Sequence, residues 1–192
     1  MDTFEMFHSE EPTIELVIKA QSGDAAALEA LLERSLPGLR RWAHGRLPPV
    51  ARGHLDTNDV VQDAVFQVLR RIDVFEPRHV GAMQAFLRRT VTNRICDEMR
   101  RLSRHPRPVA LLDEHPSDDI SPQEAAIQAE TYRRYRETLP LLRPKDRALV
   151  IARIELQWSF DEIARRFRLA TDAAARMATK RAMRRFAARL KG

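Results

Sequence analysis

A 192-residue chain that is 44% hydrophobic can build packed cores, which excludes wholesale disorder, and it is long enough for one domain or two. Its formal charge of +6 rests almost entirely on arginine, since only Lys19, Lys145, Lys180 and Lys191 are lysines; arginine suits the gripping of phosphates and base edges by a planar fork of donors. No apolar run approaches the roughly 20 residues that span a bilayer, and the acidic N-terminus does not resemble a signal peptide, so a cytoplasmic setting without membrane contact is expected.

The dominant period is helical, and no strand pattern or repeat is evident. Residues 14–22 predict a short amphipathic helix that stops at Gly23. Asp24 can cap a second helix from Ala25 to about Ser35, with Leu28, Leu31 and Leu32 on its buried side. Pro37 predicts a restart into a third helix carrying Leu39, Trp42, Ala43 and Leu47, ended by Pro48-Pro49. The clearest helix follows, with Val60, Val61, Ala64, Val65, Val68, Leu69 and Ile72 at three- and four-residue steps and Asp56 or Asp59 as its cap. After a loop around Glu76-Pro77-Arg78-His79, a long helix runs from about Ala82 to Leu102. Leu87, Val91, Ile95, Met99 and Leu102 form its apolar stripe; Arg89, Asn93, Asp97, Arg100 and Arg104 fall on the opposite side. Between Gln84 and Arg107 stand seven arginines against two acids.

Cys96, the lone cysteine, sits in that helix beside Ile95 and reads as a packing thiol, which leaves no disulfide framework and no paired-cysteine zinc site. The six histidines form no HxxxH pair, and no cofactor is expected.

The charge then inverts. From Pro108 to Thr131 there are six acids (Asp113, Glu114, Asp118, Asp119, Glu124, Glu130) and no Lys or Arg. The part up to Ser121 lacks helical periodicity and reads as an extended linker. Ser121-Pro122-Gln123-Glu124 reopens the helical pattern with a capping box. Four helices are expected after it: Pro122 to about Leu139, one from near Pro144, a short one opened by a second box at Ser159-Phe160-Asp161-Glu162, and a last one from about Asp172 to Leu190. The last two, separated by Arg168 to Thr171, have the form of a DNA-binding helix-turn-helix. From Ala173 onward there are seven basic residues and no acid; small residues at Ala173, Ala174 and Ala175 admit a close approach to the major groove, and Arg176 and Lys180 lie one turn apart.

Asp56-Thr57-Asn58-Asp59-Val60-Val61-Gln62-Asp63-Ala64-Val65-Phe66 resembles the Asp-x-x-Asp-Leu-Val-Gln-Glu-x-x-Phe signature of region 2 of the sigma-70 family of RNA polymerase sigma factors, in its extracytoplasmic-function (ECF) form. Ala85-Phe86-Leu87-Arg88-Arg89, with Asn93, Asp97, Arg100 and Arg101, is similar to the run in which that family melts and reads the −10 promoter element, although the usual Trp is missing. Ser159 to Ala182 resembles sigma region 4, the reader of the −35 element, with Arg168 where the family carries glycine. That substitution predicts a strained backbone or a shifted turn.

The resemblance implies an all-α fold of two helical domains. Residues 13–103 would form the region 2 domain, 104–123 an extended acidic linker, and 124–192 the region 4 domain. It implies polymerase contacts at Asp59, Val60, Gln62, Asp63 and Phe66, −10 contacts at Arg89, Asn93, Asp97, Arg100 and Arg101, and −35 contacts at Thr171, Asp172, Ala173, Arg176, Lys180 and Arg181. The loop from about Phe75 to Met83 would hold a flipped −10 base, and the linker would thread the polymerase active-site channel. The implied partners are core RNA polymerase, through the coiled coil of its largest subunit and its flap, and promoter DNA, with room for an anti-sigma factor. No covalent chemistry is expected. A free-standing helix-turn-helix regulator would explain only the C-terminal half. The motifs of a hydrolase, a P-loop or a zinc protease are absent from the sequence.

Overall fold

The structure, a computed structural model, describes residues 11–52, 55–102 and 121–191. Arg104 and the acids Asp113, Glu114, Asp118 and Asp119 of the expected linker lie outside them. Eight α-helices make up the described residues, with no strand among them: α1 (Thr13–Gln21), α2 (Ala25–His44), α3 (Thr57–Arg71), α4 (Ala82–Leu102), α5 (Pro122–Thr138), α6 (Pro144–Ile154), α7 (Phe160–Arg166) and α8 (Asp172–Leu190).

Helix α1 stops where the sequence places its stop. Gly23 takes φ +91°, a left-handed conformation that glycine adopts without strain, and the chain reverses there. Asp24 then caps α2, its carboxylate accepting from the Ala27 amide at 3.0 Å. The expected break at Pro37 does not occur: α2 continues through it to His44. An interior proline cannot donate to the carbonyl four residues back and costs about 3 kcal/mol. Leu31 and Leu39, on either side of it, are 1% and 0% exposed, and burial contributes about 1.5–3 kcal/mol for each. Packing on both sides of Pro37 therefore carries the helix across it.

The cap of α3 uses both candidate acids. Asp56 accepts from the Asp59 amide at 2.9 Å, and Asp59 accepts from the Asp56 amide at 2.9 Å. Val60, Val61, Ala64 and Val68 of α3 meet Leu87, Val91 and Ile95 of α4 in one hydrophobic cluster with α1 and α2. Leu69 departs from the expected stripe and is 43% exposed.

A second cluster is enclosed by α5–α8 around Leu139, Leu149, Ile151, Trp158, Ile163 and Phe186, with Tyr135 edge-on to Phe186 at 5.4 Å. Ser121 and Glu124 form the expected capping box. At Ser159 only half of the second box forms: its hydroxyl accepts from the Glu162 amide at 3.1 Å, whereas the Glu162 carboxylate turns to Arg41, Arg165 and Arg166. Three guanidinium groups outcompete one backbone N–H for that carboxylate.

Residues Glu155 to Trp158, the turn between α6 and α7, lie against α1 and α2 and so join the two clusters. Gln157 in that turn has φ +53°, which sets Trp158 inward, fully buried.

Candidate nucleic-acid interface

The helix-turn-helix is built around Arg168. Helix α7 ends in a Schellman motif: the Leu169 amide donates to the Ala164 carbonyl at 2.8 Å and the Arg168 amide to the Arg165 carbonyl at 3.3 Å. That motif needs a left-handed residue, and Arg168 supplies it at φ +51°. The turn is therefore formed without its glycine, and the strain rests on one residue. Thr171 opens α8, its hydroxyl accepting from the Ala174 amide at 3.0 Å. Ala175, Thr179, Ala182 and Phe186 bury one face of α8. Thr171, Asp172, Ala173, Arg176, Lys180 and Arg181 are all exposed on the other. The Arg176 guanidinium lies 5.0 Å from the centre of the Phe160 ring, which Arg153 also approaches at 4.9 Å. The sequence reading missed this support, because it depends on α7 and α8 meeting in space; Phe160 directly after the cap is its only trace.

On α4, Arg89, Asn93, Asp97, Arg100 and Arg101 are likewise exposed. Arg100 donates to Asp97 at 2.7 Å, with both side chains more than half exposed. Such a pair is worth about 0–1 kcal/mol, so its guanidinium can exchange the carboxylate for a phosphate at little cost. Arg101 instead grips Glu98, whose side chain is 2% exposed, at 2.6 Å. Glu98 also accepts from Arg94 at 3.3 Å, and Arg94 reaches across to Asp63 of α3 at 2.7 Å. Arg101 and then Arg94 hold the Glu98 carboxyl below the usual carboxylate range, against the opposing effect of burial. A chain of alternating charge thus runs Asp63, Arg94, Glu98, Arg101. Arg94 and Glu98 were not among the sequence candidates.

The α3 residues divide. Val60 is 0% exposed, so it packs α3 against the core and cannot touch a partner. Asp59 is occupied as a cap and Asp63 as the acceptor of Arg94, while Gln62 is exposed. Phe66 is 59% exposed and Leu69, one turn on, 43%. Together with Gln62 they make a partly apolar stripe on the outer side of α3. Hydrophobic periodicity alone assigns Leu69 to the core; its exposure shows only in the packed structure.

The Sigma-70 region 2 family matches residues 31–105, which take in most of α2 and all of α3 and α4. Over 171 residues the chain is 30% identical to ECF RNA polymerase sigma factor SigD of Mycobacterium tuberculosis, an alignment covering 88% of this chain and 80% of that one. The chain belongs to the ECF RNA polymerase sigma factors. It is 30% identical over 158 residues to ECF RNA polymerase sigma factor SigM of the same species (81% of this chain, 74% of that one) and 27% identical over 183 residues to ECF RNA polymerase sigma factor ShbA of Streptomyces griseus (90% and 92%). No solved structure matches it. This sigma factor is thus a protein of transcription initiation, with an all-helical fold. Among its described residues no helix is long and apolar enough to cross a membrane, and no cluster of His, Cys, Asp and Glu is placed to hold a metal.

Proposed function

We propose that this sigma factor docks on core RNA polymerase through the outer stripe of α3, reads and opens the −10 element with α4 and the loop before it, and reads the −35 element with α8. In this reading residues 13–103 are the region 2 domain, 124–192 the region 4 domain, and 104–123 the tether between them that enters the polymerase channel. Gln62, Phe66 and the neighbouring Asp59 and Asp63 meet the coiled coil of the largest subunit, and the α5–α8 bundle meets the flap. Arg89, Asn93, Asp97, Arg100 and Arg101 act at −10; Thr171, Asp172, Ala173, Arg176, Lys180 and Arg181 act at −35. Arginine contacts to phosphate supply salt-dependent affinity, and a few side chains on each helix supply sequence preference. Opening the −10 duplex costs a few kcal/mol per unstacked base, which a pocket around Phe75 to Met83 would offset. The chain does no covalent chemistry, works in the cytoplasm, and would be silenced by an anti-sigma factor that covers either docking face.

The observation that carries the reading is Phe66. A large aromatic that stands 59% exposed on the outer side of a helix whose opposite face is buried fits an interface anchor. A free-standing regulator leaves that stripe without use. Phe66→Ser should fold as the parent does and bind core polymerase about 2–4 kcal/mol more weakly. Titration of core polymerase with labelled protein measures this; equal affinity for both proteins would remove α3 as the dock.

A further inference from the structure

Among the described residues, four take a left-handed backbone: Gly23, Gly81, Gln157 and Arg168. Glycine adopts that conformation without strain, so only Gln157 and Arg168 are strained there. The strain at Gln157 has a core to set against it, because the turn it makes carries Trp158 into full burial. Arg168 is exposed, and a glycine in its place would let the backbone close the end of α7 equally well. Nothing in the turn's backbone calls for an arginine. Strain kept at one exposed residue points to a task for its side chain.

The protein does not occupy that side chain with a carboxylate. Arg165 lies 3.6 Å from Asp161 and also grips Glu162; Arg166 grips Glu162 and stands 4.5 Å from the centre of the Trp158 ring. Arg41 takes Glu162 as well, so both acids of α7 are engaged. Asp172, the lone acid of α8, accepts from the Ala173 amide at 2.7 Å. Arg168 enters no ion pair among the described residues.

Its place in the fold supplies the target. Thr171, Asp172 and Ala173 lead the exposed side of α8 just beyond it in the chain. When the second helix of such a pair enters the major groove, the first crosses the backbone, so the turn between them runs along the wall of the groove beside phosphates. The planar fork of arginine can hold a phosphate through two oxygens at once. Every −35 contact proposed above lies on α8 or its cap; Arg168 adds one from the turn.

We propose that Arg168 is a DNA-phosphate contact, whose guanidinium clamps a phosphodiester beside the −35 element and fixes the register of α8 in the major groove. The inference rests on the −35 reading proposed for α8. Such a contact adds affinity without sequence preference, and its signature is ionic. Each phosphate neutralised steepens the fall of log K with log salt by about 0.9, equivalent to about eightfold in affinity at about 0.1 M salt.

The test uses the full chain assembled with core polymerase, on promoter duplexes that the parent holoenzyme enriches from random DNA and on unselected duplex. Arg168→Gly removes the side chain and its strain, Arg168→Asn puts a neutral side chain in a residue that tolerates the left-handed region, and Arg168→Lys keeps the charge. Because Arg168→Gly relieves strain, a weaker complex in that variant does not come from a destabilised bundle. The glycine and asparagine variants should bind promoter DNA about eightfold more weakly at about 0.1 M salt and lose about 0.9 from the salt slope. The loss should be equal on promoters that differ at single −35 base pairs, and Arg168→Lys should keep most of the slope. Uncharged methylphosphonate, placed at one phosphate at a time beside the −35 element, should find a position that weakens the parent and leaves Arg168→Asn unaffected. An unchanged slope in both Arg168→Gly and Arg168→Asn overturns the contact. A loss that Arg168→Lys shares in full also overturns it, since the effect then lies in the shape of the turn, as does a loss traced to weaker binding of core polymerase. If the parent holoenzyme enriches no promoter, the −35 reading fails, and the salt slopes on unselected duplex still decide the role of Arg168.

Discussion

Arg168 holds a left-handed backbone so that the Leu169 and Arg168 amides can close the end of α7. An L-residue with a side chain costs roughly 1–2 kcal/mol there, and glycine would remove that cost while adding about 0.5–1 kcal/mol of unfolded-chain entropy. Arg168→Gly should therefore stabilise the C-terminal bundle by roughly 0.5 kcal/mol and raise its melting temperature by about 2–4 °C, read by circular dichroism. A lower melting temperature would mean that the Arg168 side chain makes a stabilising contact larger than its strain. This position was legible in sequence, because the resemblance to sigma region 4 implies a glycine where this chain carries Arg168. The burial of Val60 and the exposure of Leu69 were less so: both are apolar positions of one helix, and only the packing partner separates core from surface. Asp63 shows a different limit. Its carboxylate serves Arg94, 31 positions away, and no local pattern announces such a pair.

At the scale of elements, α4 and α8 present two exposed arginine-bearing faces on two different bundles, so damage to them should be separable. Arg176→Ala should weaken initiation at promoters that depend on a −35 element by about 1–3 kcal/mol if the side chain reads a base. Asn93→Ala should impair −10 contact or strand opening while leaving −35 binding largely intact. Permanganate footprinting on linear and pre-melted templates distinguishes them: pre-melting should rescue Asn93→Ala and not Arg176→Ala. Equal losses on both templates would count against separate roles. Most helix limits were readable because caps and breakers are local chemistry, as at Asp24, Asp56 and Ser121. The failure at Pro37 was not local. Proline predicts a break from its own covalent structure, whereas the continuation depends on Leu31 and Leu39 being buried by other helices.

For the whole molecule, the expectation of helices in two groups said nothing of their touching. The seam is made by pairs 142, 124 and 121 positions apart, Thr13 with Glu155, Arg34 with Trp158, and Arg41 with Glu162, and neither periodicity nor motif carries information at that range. Glu162 gives it a pH dependence of known sign. Burial pushes its carboxyl up, but Arg166, Arg41 and Arg165 outweigh it, so the folded pKa lies below the usual value. A depressed carboxylate adds stability that is fully present above the unfolded pKa of about 4.3 and is lost as pH falls through the folded one. The stability difference between parent and Glu162→Gln should be constant at neutral pH and shrink below about pH 4, measured by urea denaturation at each pH. A difference that grows on acidification would reverse the assignment. The charged chain from Asp63 through Arg94 and Glu98 to Arg101 joins the face of α3 to the end of α4. A partner that draws Asp63 away from Arg94 leaves Arg94 to lean on Glu98 and loosens that carboxylate's hold on Arg101. Binding free energies coupled in this way are reciprocal. By whatever factor an occupant of the α3 face changes the affinity of α4 for DNA, DNA on α4 must change the hold of that occupant by the same factor.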